Sequence, residues 1–381
     1  MADWEVVRLG EVTRSFDARR SPVKAQERVA GPYPYYGASG IVDYVDGYLF
    51  DGDYLLVAED GENLRTRKTP IAFIASGKFW VNNHAHILQG SEKANAQYLS
   101  YLLRCVDVSG YLSGSTQPKL TQAALNSIQV KIPDRLSQDA VVEVLGALDG
   151  KIAHNERMRD TALSLADAFY ESSATSPVPE LIGDLAELFD GPHATPHKTE
   201  TGPWFLSISS LKNGYLDLSE SAHLAEEDFP RWTRRVQPQA GDVLFSYETR
   251  LGDAALMPPG VRGSLGRRMA LLRSKSAAVS GALLLHAYLS PVFQEEIKRR
   301  TVHGATVDRL PLKEMPGWRI PLPAEGERER LSAKLDALHA FVTQAANESR
   351  TLADLRDTLL PQLLSGKLRV KDVVRTVEEV V

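Results

Sequence analysis

Two stretches of this chain, residues 114–152 and 304–342, repeat one another at a fixed separation. Gly114, Thr116, Leu120, Pro133, Leu145, Leu148 and Ile152 meet Gly304, Thr306, Leu310, Pro323, Leu335, Leu338 and Val342 at an offset of 190 positions. Solenoid repeats have periods of only about 20–50 residues, so this spacing marks a duplicated domain. A chain that duplicates a whole module offers two similar surfaces to a two-fold or bipartite partner, which points to recognition before catalysis.

The offset drifts ahead of the repeated stretch, and the drift locates where the copies diverge. Leu9-Gly10-Glu11-Val12 resembles Ile182-Gly183-Asp184-Leu185 at offset 173, and Gly52-Asp53-Tyr54-Leu55 resembles Gly241-Asp242-Val243-Leu244 at offset 189. Insertions therefore lie between residues 13 and 51 or their counterparts. β-Branched and aromatic runs at Ile41–Val45, Tyr54–Ala58, Ile71–Ala75 and Ala85–Leu88, and at Phe205–Ile208, Val243–Tyr247 and Met269–Leu272, predict strands. Helical patterning covers Ala96–Val106 and Gly281–Arg300, and a last strand, Ile128–Ile132 or Trp318–Leu322, ends at Pro133 or Pro323.

Beyond each proline the pattern turns to heptads. Positions 141, 145, 148, 152, 155, 159, 162, 166 and 169, and 331, 335, 338, 342, 345, 349, 352, 356 and 359, step by four and three. A period of 3.5 sustained over about four heptads is a coiled-coil seam. Leu145, Leu148, Ile152, Leu335, Leu338 and Val342 are the expected apolar contacts, and Asn155 is a polar seam residue of the kind that fixes register. The predicted fold class is α+β: two tandem mixed α/β modules separated and followed by long helices, which pair as an antiparallel coiled coil with pseudo-two-fold symmetry. The domains are 1–133, 134–176, 177–323 and 324–381. A helix of about 35 residues is about 50 Å long, and B-DNA advances about 34–36 Å per turn, so such a pair could act as a ruler.

Charge decides little. The net charge is −5, yet residues 1–133 hold 14 basic and 14 acidic side chains and residues 177–323 hold 17 of each. A neutral module can carry a basic face, so charge neither supports nor excludes nucleic acid. The longest apolar runs fall far short of a bilayer span and the first ten residues carry charges, which predicts a cytoplasmic protein with no membrane contact. The single Cys105, in the apolar run Tyr98–Val108, is expected to be a small core residue.

Catalytic signatures are missing from the sequence. Ser365-Gly366-Lys367-Leu368 lacks the upstream glycine and following hydroxyl of a phosphate-binding loop. His84 and His86 share one side of a predicted strand without carboxylate or thiolate company, so a structural or DNA-contact role outranks a metal site. No catalytic and no metal-binding residue is expected. The remaining candidates are loop residues suited to phosphates and base edges. In the first module they are Arg65, Arg67 and Lys68 of the cationic loop, Asn83 and His84, and Ser115, Thr116, Gln117 and Lys119. In the second they are Arg250, Arg267, Arg268, His303, Thr306 and Arg309. The loops recur at the same place yet differ in contact residues, as two modules reading different sequences would. A pseudo-symmetric protein–protein scaffold without DNA reading is the other interpretation.

Several segments together resemble the DNA-specificity subunit of type I restriction-modification systems, over essentially the full chain. They are Trp4-Glu5-Val6-Val7-Arg8-Leu9-Gly10-Glu11-Val12, Tyr33-Pro34-Tyr35-Tyr36-Gly37-Ala38-Ser39-Gly40, Asn82-Asn83-His84-Ala85, Ile128–Pro133, and Leu359-Leu360-Pro361-Gln362-Leu363-Leu364-Ser365-Gly366-Lys367-Leu368. The resemblance implies two target recognition domains, each gripping half of a bipartite double-stranded DNA site, and helices that set the spacer and dock two adenine methyltransferase subunits. It implies that those partners bind S-adenosylmethionine, that motor/nuclease subunits, where present, use ATP, and that this chain holds no cofactor. In the second module, Gly266-Arg267-Arg268-Met269-Ala270 stands where the first has Asn82–His86, so base contacts do not transfer between modules.

Overall fold

A computed structural model describes residues 4–304, 307–370 and 372. It divides into two compact units: residues 1–151 with 352–381, and residues 152–351.

In the first unit the opening strand Glu5–Arg8 pairs antiparallel with Gln129–Ile132, Val7 facing Val130. This ribbon ties the module's entry to its exit, next to where the following helix begins. A four-stranded antiparallel sheet runs in the order Thr13–Ser15, Ala85–Gly90, Tyr54–Ala58, Ala72–Ala75. Every residue of Tyr54–Ala58 is buried, as expected of a central strand covered on both faces. A second sheet, ordered Gly40–Val45, Ala30–Gly37, Lys78–Val81, Phe50–Asp51, contains one parallel pairing, Tyr35 with Trp80.

The second unit repeats this plan. Val178–Leu181 pairs with Arg319–Leu322. Its main sheet runs Ala186–Asp190, Met269–Ser274, Val243–Ser246, Ala254–Leu256, and the smaller one again has a parallel pairing, Trp204 with Gly263. The drifting offset thus reflects insertions within one topology.

Three local expectations are corrected. The strand predicted at Phe205–Ile208 lies earlier, at Lys198–Phe205, and Ile208–Ser210 is a short 3-10 turn capped by the Ser207 hydroxyl. The helix predicted over Gly281–Arg300 is two helices, Gly281–Leu289 and Pro291–Arg300. Pro291 lacks the N–H needed to continue the first, and the Ser290 side chain caps the second by accepting from Phe293 N–H. Cys105 is exposed rather than in the core. It is the last residue of its helix, the chain becomes extended at Val106, and earlier turns fill the core with Tyr98, Leu99 and Leu103.

The long helices run Arg135–Ser173 and Glu325–Leu364. Every heptad position named above is buried or half-buried. In the first unit Leu145 and Leu148 share a core with Leu359, Leu360, Leu363 and Leu364, and Arg356 reaches Asp149 at 2.8 Å. In the second, Asn155 Nδ2 donates to Glu348 at 2.9 Å while Ala162 and Leu163 cluster with Val342. Within each unit, rising numbers on one helix meet falling numbers on the other, so the helices pair antiparallel. The two helix starts share a clamp at the repeat offset: Gln138 Nε2 donates to the Pro133 carbonyl (2.9 Å), and Arg328 Nε to that of Pro323 (3.0 Å).

The second unit also buries a histidine pair. His286 Nδ1 faces Asp167 at 2.8 Å and its Nε2 meets His339 Nε2 at 2.9 Å, joining both long helices to Gly281–Leu289. Among the described residues, no helix is long and apolar enough to cross a membrane.

Candidate nucleic-acid interface

The loops picked out by sequence converge in each module. In the first, Glu59, just past the central strand, donates its N–H to the His84 carbonyl (2.9 Å) and accepts from Leu120 N–H (2.7 Å). Ser113 and Lys119 exchange two backbone bonds of 2.8 Å, closing the loop between them, and Gly61 N–H reaches Pro118. In the second, Tyr247 N–H donates to Arg268 (3.2 Å), Leu310 N–H donates to Tyr247 (2.9 Å), and Val302 and Arg309 exchange the equivalent pair. One backbone frame therefore brings three loops together twice.

The side chains on that frame differ. Asp60 holds His84 Nδ1 at 2.8 and 3.0 Å in the first module. At the matching position of the second, Glu248 holds Arg268 Nε at 2.8 Å. Arg268 and Thr249 both adopt positive φ, 71° and 70°, and Arg268 donates to the Thr249 hydroxyl. Strained backbone of this kind concentrates where side chains must be aimed.

The other candidates divide into presented and engaged groups. Lys68, Asn83, Ser115, Thr116, Gln117, Arg267 and Arg309 are exposed at the loop surfaces. Arg65 donates to the Gly114 and Ser115 carbonyls (3.1 and 3.3 Å), bracing one loop on another. It sits on a single helical turn, Asn63–Thr66, rather than in an irregular loop. Arg67, left-handed at φ 51°, gives its guanidinium to the Leu103 and Val106 carbonyls at the end of a helix, so it is an internal anchor. Lys119 pairs with Glu59 at 3.0 Å, Arg250 with Asp253 at 2.5 Å, and His303 with Asp308 at 3.1 Å. Thr306 lies outside the described residues.

The two first-module histidines do have carboxylate company, contrary to the sequence expectation. Asp60 is recruited by His84 across 24 residues and Asp17 by His86 across 69, separations that a local pattern cannot show. His86 is buried, with Nδ1 at 2.5 Å from Asp17 and Nε2 at 2.7 Å from the Leu120 carbonyl. Burial raises the Asp17 carboxyl, but hydrogen bonds from His86 and Ile87 N–H outweigh it and leave the group below its ordinary range. Glu59 is likewise raised by burial and lowered further by Arg20 and Lys119. Asp17, Glu59 and His86 lie close enough to share a metal ion. However, both His86 ring nitrogens already have partners, and the cations Arg20 (2.5 Å) and Lys119 stand against Glu59. The set is an ion-pair lattice that stiffens the loop roots.

Comparison with known proteins agrees with this architecture. Residues 1–162 match the type I restriction modification DNA specificity domain. The chain is 28% identical to a putative type I restriction enzyme specificity subunit of Haemophilus influenzae, covering 91% of this chain and 90% of that one. It is 19% identical to the MjaIX specificity subunit of Methanocaldococcus jannaschii, covering 97% and 95%. The chain is thus similar to type I restriction enzyme specificity subunits over nearly its whole length. The fold is shared with the crystal structure of an S subunit from M. genitalium, at a TM-score of 0.62 and 13% identity over 95% of this chain and 96% of that one.

Sequence reasoning missed the acidic partners Asp60 and Glu248, which orient His84 and Arg268. The available signal was positional: both acids follow the buried central strand of their module by two residues. It also missed the turn Phe229–Arg235, whose cations have no counterpart in the 190-residue repeat.

Proposed function

We propose that this chain reads a bipartite DNA sequence, residues 1–133 and 177–323 each reading one half, and that it catalyses no reaction itself. The observation that carries the reading is the duplicated three-loop frame, alike in its main backbone bonds and different in the side chains it presents. A histidine with Gln117 in one module and Arg267, Arg268 and Arg309 in the other suit different base edges: glutamine pairs with adenine, and arginine with guanine. The paired helices Arg135–Ser173 and Glu325–Leu364 set the spacing of the half-sites and dock two adenine methyltransferase subunits in the cytoplasm. Those subunits bind S-adenosylmethionine, and motor subunits, where present, supply ATP hydrolysis.

The test is reconstitution with the methyltransferase subunits on a random-sequence DNA pool, followed by mapping of methylated adenines. One bipartite motif is expected. His84→Ala with Gln117→Ala should relax only one half of it, and Arg267→Ala with Arg309→Ala only the other, by roughly 1–3 kcal/mol per lost bidentate contact. A pool without a bipartite motif, or variants that relax both halves equally, would refute the assignment.

A further inference from the structure

Arginine use in the second module is uneven. Most arginines between residues 177 and 323 are held by a carboxylate or carbonyl, as Arg262 is by Glu226 and Arg273 by Asp242. Among the described residues, Arg231, Arg234, Arg267 and Arg309 have no such side-chain partner, and all are exposed. Arg267 and Arg309 belong to the three-loop frame. Arg231 and Arg234 lie elsewhere in sequence, on the turn that follows Phe229.

That turn is anchored rather than free. Trp232 packs edge-on against Phe205, with ring centroids 6.0 Å apart. Arg235 donates to the Gly191 carbonyl (3.3 Å) and pairs with Asp190 (3.4 Å), which His193 also reaches at 3.0 Å. Arg231 and Arg234 consequently line a hollow of about 340 Å³, with His193 and Leu265. A second hollow, about 310 Å³, is lined by Arg267, Arg268, Lys198 and the hydroxyl residues Ser207 and Ser221, with Glu220 as its acid. The loop 190–198 and the segment 265–268 contribute to both hollows, so the unpaired arginines adjoin the reading frame through Arg267 and Arg268.

We propose that Arg231 and Arg234 grip DNA backbone phosphates flanking the half-site read by the second module. This rests on the DNA-reading function above and adds to it a contact that positions without reading bases. A guanidinium fork matches phosphate oxygens. These two have no carboxylate to give up on binding, unlike Arg262 or Arg250. Half or more of the hydrogen bonds in protein–DNA complexes go to phosphate and sugar, and such contacts set register on the duplex.

The experiment uses the full chain assembled with its methyltransferase subunits. Affinity is measured against salt for wild type, Arg231→Ala/Arg234→Ala, and Lys298→Ala, whose cation is already paired with Glu295. Cognate and scrambled duplexes are both used. Each phosphate contact contributes about 0.9 to the slope of log affinity on log salt, so the double variant should be shallower by about 2 on both duplexes. The methylated motif and the Lys298→Ala slope should be unchanged. A double variant with the wild-type slope, a loss confined to the cognate duplex, or an altered motif would overturn the proposal while leaving the DNA-reading function intact. A wild-type complex that selects no sequence would overturn both. Arg231→Gln/Arg234→Gln, which keeps bulk and polarity, should give the same slope; should the alanine variant unfold, its slope decides the matter alone.

Discussion

The buried His286–His339 pair makes the second unit sensitive to acid, and one substitution isolates the effect. Burial pushes His339 down to about 3, and the neighbouring His286 adds to the depression while Asp167 opposes it. The unfolded chain has an ordinary histidine near 6.5, so below that value it binds a proton that the folded unit refuses. Stability from this group is therefore complete above about pH 6.5 and is lost as pH falls towards 3, at about 1.4 kcal/mol per pH unit. Between pH 7.5 and pH 5 the loss comes to roughly 2 kcal/mol. His339→Leu removes the titrating group and keeps an apolar volume at a site that is 4% exposed. It also leaves His286 Nε2 without its partner, at a cost of about 1–3 kcal/mol at each pH. Urea unfolding of both proteins at several pH values between 7.5 and 5 gives the stability gap between them. That gap should shrink by roughly 2 kcal/mol at the acid end. Parallel pH profiles would show that His339 takes up its proton in the folded state and would refute the argument.

Three further substitutions test structural roles. Arg67→Ala should lower stability in thermal or urea unfolding by about 1.5–3 kcal/mol, through the loss of its charged hydrogen bonds to the Leu103 and Val106 carbonyls. The salt dependence of DNA binding should stay unchanged, because that guanidinium is committed to a helix end. Leu335→Ala, at a fully buried seam position, should cost about 2–5 kcal/mol, and Leu338→Ala, half-buried, distinctly less by the same measurement.

The two long helices were legible in sequence because a heptad is a local pattern that reports its own buried face. The polar seam residue Asn155 found its partner on the other helix, Glu348, as a register-fixing residue should. Long-range pairing was not legible. The ribbon Glu5–Arg8 with Gln129–Ile132 joins segments more than a hundred residues apart, and neither segment alone names its mate. The candidate loops were found because they recur at a fixed offset, and the structure brings them together in each module. Which charges are free depends on through-space partners: Arg67 and Lys119 read as available cations and are held by carbonyls and Glu59, whereas Arg231 and Arg234 drew no notice and stand unpaired.

The division of the chain also bears on how it is made. The first unit's core includes Leu359, Leu360, Leu363 and Leu364, which leave the ribosome after all of residues 152–351. At about 5–20 residues per second, translation of those intervening residues takes roughly 10–40 s. Through that interval Val141, Leu145 and Leu148 lack the leucines that cover them, whereas by its end the second unit holds every residue of its own core. The unit encoded first is thus the one completed last, and its apolar helix face is the nascent chain's exposed surface for chaperones and proteases until the final turns of the last helix arrive.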